Sequence, residues 1–148
     1  MRAVTPAAVT RSMSAVASAA CCTLEAGAIR LGLSYVSGLG AAAIERIIAA
    51  RPFADLANLC RRAKLPRALV ERLSAAGALD GWGARRQLLW QLGTLRYQAD
   101  ELDLPIPHAA PALPPQTRAE RYADELGALG LSPHEHVMTF YRAWLDAE

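Results

Sequence analysis

The stretch Val36-Ser37-Gly38-Leu39-Gly40, followed by Ala41-Ala42-Ala43-Ile44-Glu45-Arg46-Ile47-Ile48, decides the fold. Two glycines one residue apart predict a tight turn, because glycine adopts backbone angles that a Cβ atom disfavours. The segment after them predicts a helix whose first amide groups have no partner within the helix. Those amides and the positive end of the helix dipole favour an anion such as phosphate. Leu39 is predicted to point inward and to hold the turn against its helices.

This pattern resembles the helix-hairpin-helix motif, which binds nucleic-acid backbones without reading their sequence. The alternative interpretation of the same residues is a glycine that ends a helix, followed by a short loop. A second unit of the same kind follows, because Lys64-Leu65-Pro66 lies between two further predicted helices. This second turn lacks glycines, so a phosphate contact there would depend on Lys64 and Arg67 rather than on glycine amides.

The spacing of apolar residues predicts an all-α fold, a tandem helix-hairpin-helix bundle followed by a Pro-rich linker and one or two C-terminal helices. The four helices of the bundle are expected to begin at Ala41, near Asp55, at Pro66 and near Ala84. Gly77 stands where a glycine commonly ends a helix. The residues expected to face the core are Ile44, Ile47, Ile48, Leu56, Leu59, Cys60, Leu69, Val70, Leu73, Leu88, Leu89, Leu92 and Leu95.

Positive charge is concentrated in the part of the chain that contains the two turns. Residues 28–96 carry eleven Lys or Arg against four Asp or Glu, whereas residues 97–148 carry three against nine. A solvated surface is the ordinary explanation of such a cluster, but its coincidence with a phosphate-type turn favours nucleic acid. The expected phosphate-binding residues are Gly38, Leu39, Gly40, Arg46, Arg51, Arg61, Arg62, Lys64 and Arg67. Because no base-reading motif accompanies them, the expected partner is double-stranded or primer-template DNA, bound without sequence preference.

Composition divides the chain into four regions. They are a disordered leader rich in Ala, Ser and Thr over 1–27, the bundle over 28–97, a Pro-rich linker over 98–116 and a C-terminal helical segment over 117–148. The pattern Thr117-x-x-Glu120 predicts a capping box at the start of the last region. The apolar face of the final helix, with Phe140, Tyr141 and Trp144, either packs on the bundle or contacts a protein partner or a further domain.

Other kinds of chemistry have weak signals in the sequence. Three cysteines without a C-x-x-C pair predict a reduced, cytoplasmic protein with Cys60 in the core. A membrane span is not expected, because the sequence has no stretch of 18 uncharged apolar residues. His134 and His136 lack an evident third ligand, and the acidic residues 100–103 lack a partner base. We therefore expect no metal, no cofactor and no self-contained catalytic site.

Several short motifs follow one another in an order that resembles one enzyme family. They are Cys22-Thr23-Leu24-Glu25, Ile29 to Leu39, Arg51-Pro52-Phe53-Ala54-Asp55-Leu56, Ala75-Ala76-Gly77-Ala78-Leu79-Asp80, Arg85-Arg86-Gln87-Leu88-Leu89-Trp90, Leu113-Pro114-Pro115, Gly130-Leu131-Ser132 and His136-Val137-Met138. Together they resemble the helix-hairpin-helix region of bacterial DNA polymerase III alpha-type enzymes, above all the error-prone (DnaE-like) branch. The resemblance spans about residues 21–145. It departs at Val137, where the family has proline, and over the first 20 residues, which match nothing in the family.

The resemblance implies a parent nucleotidyltransferase that synthesises DNA across lesions, in which this region would hold duplex beside the active site. No residue here matches the family's catalytic aspartates, and the palm and OB-fold domains of the family are not in the sequence. The expectation is therefore a C-terminal fragment that binds the DNA backbone and is not catalytic on its own. A helical protein-interaction domain and a non-functional truncated remnant are the alternatives.

Overall fold

The structure, a computed structural model, describes residues 10, 11, 13–26, 28–97 and 111–146. Three short strands form a sheet in the order β1-β3-β2: β1 Thr10–Arg11, β2 Thr23–Glu25 and β3 Ala28–Arg30. Strand β3 pairs in parallel with β1 and antiparallel with β2. The helices are α1 Ala41–Ala49, α2 Leu56–Ala63, α3 Arg67–Ala75, α4 Arg85–Thr94, α5 Arg118–Leu129 and α6 Met138–Leu145. The mostly helical architecture confirms the predicted fold class.

Local sequence accounts for where several helices begin and end. The Asp55 side chain accepts a hydrogen bond from the Asn58 amide at the start of α2. Thr117 and Glu120 form the predicted capping box at the start of α5, and Gly130 ends that helix in the left-handed conformation. Helix α3 begins one residue later than predicted, at Arg67, because Pro66 is its N-cap rather than its first helical residue.

An internal repeat relates the turn before α1 to the turn before α3. We call residues 36–40 the first hairpin and residues 64–66 the second hairpin. Leu39 and Leu65 are both buried, as predicted for Leu39, and each is followed by a nine-residue helix that begins two positions later. The residues before them, Gly38 and Lys64, both have positive φ angles, of 80° and 47°. The two units therefore share one local geometry, displaced by 26 residues from Leu39 to Leu65.

Most of the residues predicted to face the core are buried, among them Ile44, Ile47, Leu59, Val70, Leu73 and Leu92. Ile48 and Leu89 are exceptions, because each is about 40% exposed at the edge of its helix. Both positions satisfied the apolar spacing of a helix, but the neighbouring elements do not reach far enough around the helix to cover them.

The N-terminal segment packs against the bundle where it is described. Met13, Ala15 and Ser18 are buried, and the Ala15 amide donates to the carbonyl of Ala78 at 2.8 Å. The expectation of a disordered leader is therefore wrong for residues 13–26, whereas residues 1–9, 12 and 27 lie outside the described part of the chain. The physical reason is that small residues let this segment lie close to the core while backbone partners satisfy its polar groups.

Helix α5 belongs to the same core as the bundle, which corrects the predicted division at residue 117. Ala128 and Leu129 are buried in the core cluster, and α5 packs along α3. The backbone of α5 also reaches the first hairpin, because the Ser37 amide donates to the Ala128 carbonyl at 2.8 Å. Residues 98–110 of the predicted linker lie outside the described residues, but Arg86 holds its later part by donating to the Pro114 carbonyl.

A buried ionic cluster reinforces this attachment. The Arg85 guanidinium contacts Glu125 of α5 at 2.9 Å and Asp80 at 2.8 Å, and Ser132 donates to the second Glu125 oxygen at 2.6 Å. Burial lowers the pKa of Arg85, but its hydrogen bonds with the two carboxylates outweigh burial, and the pKa is raised overall. Gly77, at φ 77°, leaves the necessary space, since a Cβ atom there would lie 2.5 Å from Arg85.

Helix α6 covers little of the core. Its side chains Tyr141 and Trp144 are 56% and 62% exposed. The Phe140 ring meets Tyr122 edge-on, and the Arg118 guanidinium lies over it, 5.8 Å from its centroid. Among the described residues, none of the helices has the length and apolar character needed to cross a membrane.

Candidate nucleic-acid interface

The two glycines of the first hairpin have different backbone conformations. Gly38 adopts a left-handed conformation with φ 80°, which favours glycine. Gly40 has φ −68° and ψ 163°, an ordinary extended conformation, and a Cβ atom there would meet nothing within 4 Å. The prediction that both glycines permit unusual backbone angles is therefore correct for Gly38 and wrong for Gly40.

Four backbone amides of the first hairpin and of α1 have no acceptor among the residues that the structure describes. The Leu39 amide donates to the Val36 carbonyl at 3.0 Å, so it is not available to a ligand as the sequence had suggested. Within the part of the chain that the structure describes, no acceptor faces the amides of Gly38, Gly40, Ala41 and Ala42. All four residues are exposed. Successive amides of this kind before a helix without acidic residues in its first turn form a concentration of positive potential.

The second hairpin offers fewer amides. The Lys64 amide donates to the Cys60 carbonyl at 3.1 Å, and Pro66 has no N–H. Any anion there would rely more on side chains. The Lys64 side chain is exposed, as the sequence-based expectation requires.

Three of the predicted phosphate-binding arginines instead bind carbonyl oxygens of the protein itself. Arg51 donates to the Ala15 and Ser18 carbonyls at 3.0 and 2.5 Å, and its burial lowers its pKa. Arg62 donates to the Pro52 carbonyl at 2.5 Å. Arg67 donates to the Leu92 and Leu95 carbonyls at the end of α4 and lies over the Tyr97 ring. These guanidinium groups are used to join segments of the fold.

The remaining cations stay exposed near the two hairpins. Arg46, on α1, donates to the Lys64 carbonyl of the second hairpin at 3.3 Å. Arg61, on α2, is exposed and has no hydrogen bond or ion pair within the described residues. Arg72 of α3 is not among the predicted phosphate-binding residues, yet its Nε atom lies 3.8 Å from the position that a Cβ atom would occupy on Gly38. The repeated dipeptide Glu-Arg, at residues 45–46 and 71–72, is the signal that could have identified it.

Comparison with known proteins agrees with this geometry. The family model of the helix-hairpin-helix motif matches residues 5–89. Over about 125 residues the chain is 38% identical to an error-prone DNA polymerase of Corynebacterium diphtheriae, covering 81% of this chain and 12% of the relative. It is 42% identical to an error-prone DNA polymerase of Azoarcus sp. over 80% of this chain and 12% of the relative. It is 41% identical to that of Cutibacterium acnes, again over 80% of this chain but 11% of the relative.

The chain thus spans about an eighth of the length of the curated relatives that it matches. The similarity includes both hairpins and the helices on either side of them, which are the elements that carry the exposed amides and cations. The matched family model covers more than half of the sequence. The chain belongs to the helix-hairpin-helix family.

Proposed function

We propose that this chain binds the sugar-phosphate backbone of DNA without sequence preference and that it does so through the two hairpins. The observation that carries the proposal is the set of amides at Gly38, Gly40, Ala41 and Ala42, which have no acceptor within the described residues and lie beside exposed cations. Amides before a helix bind phosphate oxygens well. The exposed arginines near the hairpins and Lys64 add electrostatic attraction that does not depend on the DNA sequence. The similarity to error-prone DNA polymerases supports duplex or primer-template DNA as the ligand.

The proposal further assigns this chain a supporting rather than a catalytic role in DNA synthesis. In this proposal its region lies beside the active site of a polymerase that copies damaged DNA, as the family resemblance implies. In the described residues no cluster of His, Cys, Asp and Glu could hold a metal ion, whereas phosphoryl transfer to DNA uses metal-bound carboxylates. Such a module would work in the cytoplasm, where its thiols stay reduced.

Substitution of Gly40 tests the amide mechanism without damaging the fold. Gly40→Pro removes one unpaired N–H, and Pro66 already occupies the equivalent position of the second hairpin with similar backbone angles. We expect affinity for a labelled duplex to fall roughly tenfold, because a hydrogen bond to a charged group is lost. We also expect stability to rise by about 0.4–1 kcal/mol, because proline restricts the unfolded chain. Fluorescence anisotropy and urea unfolding measure the two effects.

The matched control is Gly40→Ala, which keeps the N–H and meets no neighbouring atom. It should bind like the parent chain. The parent chain itself should bind with a dissociation constant on the order of 10⁻⁴ to 10⁻⁶ M at physiological salt. Lys64→Ala should lower the log–log salt slope by about one. Salt-insensitive binding, or undiminished binding by Gly40→Pro, would contradict the hairpin mechanism.

A second candidate function is protein interaction through α6. This helix and its N-cap residue present more exposed apolar surface than a short solvated helix normally does. The exposed apolar side chains are Val137, Met138, Phe140, Tyr141, Trp144 and Leu145. The partner would be another domain of an error-prone polymerase. Mixing the chain with the rest of the Azoarcus relative, expressed without its equivalent region, should give a complex in sedimentation analysis that Trp144→Ala weakens. Absence of both this complex and DNA binding would favour a non-functional remnant.

A further inference from the structure

The contacts of Arg46 and Arg72 connect the two halves of the internal repeat. Both residues stand seven positions after the buried leucine of their own hairpin, Leu39 or Leu65. Arg46 follows the first hairpin but donates to the Lys64 carbonyl of the second. Arg72 follows the second hairpin, but its side chain lies against Gly38 of the first, with Nε and Cδ at 3.8 and 3.9 Å from the position of a Cβ atom. Each arginine therefore reaches the positive-φ residue of the other repeat.

Both arginines have donors left for a ligand. They are exposed, and in the described part of the chain neither forms an ion pair. Glu45 and Glu71 directly precede them, but consecutive residues of a helix point in different directions and do not pair readily. Arg46 donates one N–H to the Lys64 carbonyl, and Arg72 has no hydrogen-bond partner within the described residues. The nearby guanidinium groups of Arg51, Arg62 and Arg67 are, by contrast, occupied by backbone carbonyls.

From these contacts we infer that Arg46 and Arg72 are a crossed pair of phosphate-binding residues, each of which serves the hairpin of the other repeat. This inference rests on the proposed function and assigns its ligand contacts more closely. The first phosphate site combines the amides of the first hairpin with the guanidinium of Arg72. The second combines Lys64 with the guanidinium of Arg46, which compensates for the N–H that Pro66 lacks. Each site thus contains groups from both repeats, and neither repeat can form a complete site alone.

The first measurement is the salt dependence of binding to a labelled 20-base-pair duplex. Arg46→Ala and Arg72→Ala should each lower the log–log slope by about one and the affinity roughly tenfold. The charge-matched control is Arg142→Ala on α6, which removes an equal charge outside both repeats and should leave the slope nearly unchanged. Thermal unfolding of each variant provides a readout of structural damage. If the losses of binding follow losses of melting temperature, the arginines are structural and the inference is overturned.

Two double-mutant cycles test the crossing itself. Arg72→Ala and Gly40→Pro both remove groups from the first phosphate site, so their effects on affinity should be non-additive. Arg46→Ala and Gly40→Pro act at different sites, so their effects should add. Coupling of Gly40→Pro to Arg46 instead of Arg72 would refute the crossing while leaving DNA binding intact. A parent chain that does not bind duplex at low salt would refute the proposed function and this inference together.

Discussion

At the scale of single residues, the same residue type has different roles according to what surrounds it. Arg51 and Arg67 are partly buried and donate to two carbonyl oxygens each. Arg46 and Arg72 are exposed, and of these two only Arg46 donates to a carbonyl oxygen within the described residues. Burial accounts for the contacts of Arg51 and Arg67, because a guanidinium removed from water must find acceptors in the protein. Only the exposed group can exchange water for phosphate at low cost.

Cysteine reactivity provides a test at this scale. Cys60 is buried, and burial raises the pKa of its thiol to about 11, whereas Cys21 and Cys22 are exposed. Because the thiolate is the reactive form, we expect two thiols of the folded chain to react quickly with a disulfide reagent at pH 8. The third should react only on unfolding. Fast reaction of all three thiols in the native state would show that Cys60 is not in the core.

The pH dependence of stability follows from the same thiol. The folded-state pKa of Cys60 lies above its ordinary value of 9.0, so folding favours the protonated form. Its contribution to the free energy of unfolding is fully present below about pH 9 and is lost as pH rises towards 11. We expect the stability of the parent chain relative to Cys60→Ala to be smaller at pH 10.5 than at pH 8 in urea unfolding. An equal difference at both pH values would contradict the raised pKa.

At the scale of elements, helix α5 is an integral part of the bundle, although the composition of the sequence separates the two. Helix α5 contributes Ala128 and Leu129 to the core, and it satisfies the Ser37 amide next to the first hairpin. Glu125 is 2% exposed and receives hydrogen bonds from Arg85 and Ser132. The first hairpin, which carries the candidate phosphate site, is thus held in place by its contact with α5.

Glu125→Ala should therefore be strongly destabilising. It would leave the buried guanidinium of Arg85 with one partner fewer, and removing one member of a buried ion pair costs about 3–5 kcal/mol. Glu71→Ala is a suitable control, because Glu71 is exposed and makes no ion pair within the described residues, and its effect should stay within about 0.5 kcal/mol. Chemical denaturation of both variants measures the difference. Similar values for the two variants would argue against the buried cluster.

At the scale of the whole molecule, one core joins the N-terminal segment, both repeats and α5. Met13, Leu33, Leu59 and Leu129 belong to the same cluster of buried residues, although they are far apart in the sequence. Helix α6 lies outside this cluster, with its apolar side chains exposed. Cooperative folding is therefore expected to extend from residue 13 to about residue 131 rather than over the bundle alone.

Truncation tests this boundary. A chain ending at residue 136 lacks α6 but keeps every core residue and Ser132, so its thermal unfolding should match that of the full chain. A chain ending at residue 97 loses Leu129, the Glu125 carboxylate that pairs with Arg85 and the Ala128 carbonyl that accepts from Ser37. It should therefore melt at a lower temperature and bind an apolar dye. Equal stability of the chain ending at residue 97 would restore the division predicted from composition.

Local interactions were enough to predict the helices, the capping box at Thr117, the burial of Leu39 and the turn at Gly38. Each depends on residues within a few positions of one another, so the chemistry of the neighbouring residues decides the outcome. The packing of residues 13–26, the attachment of α5 through Glu125 and the crossed contacts of Arg46 and Arg72 emerged only in the folded molecule. These contacts join residues distant in the chain, and the packing of whole elements determines which donors find acceptors.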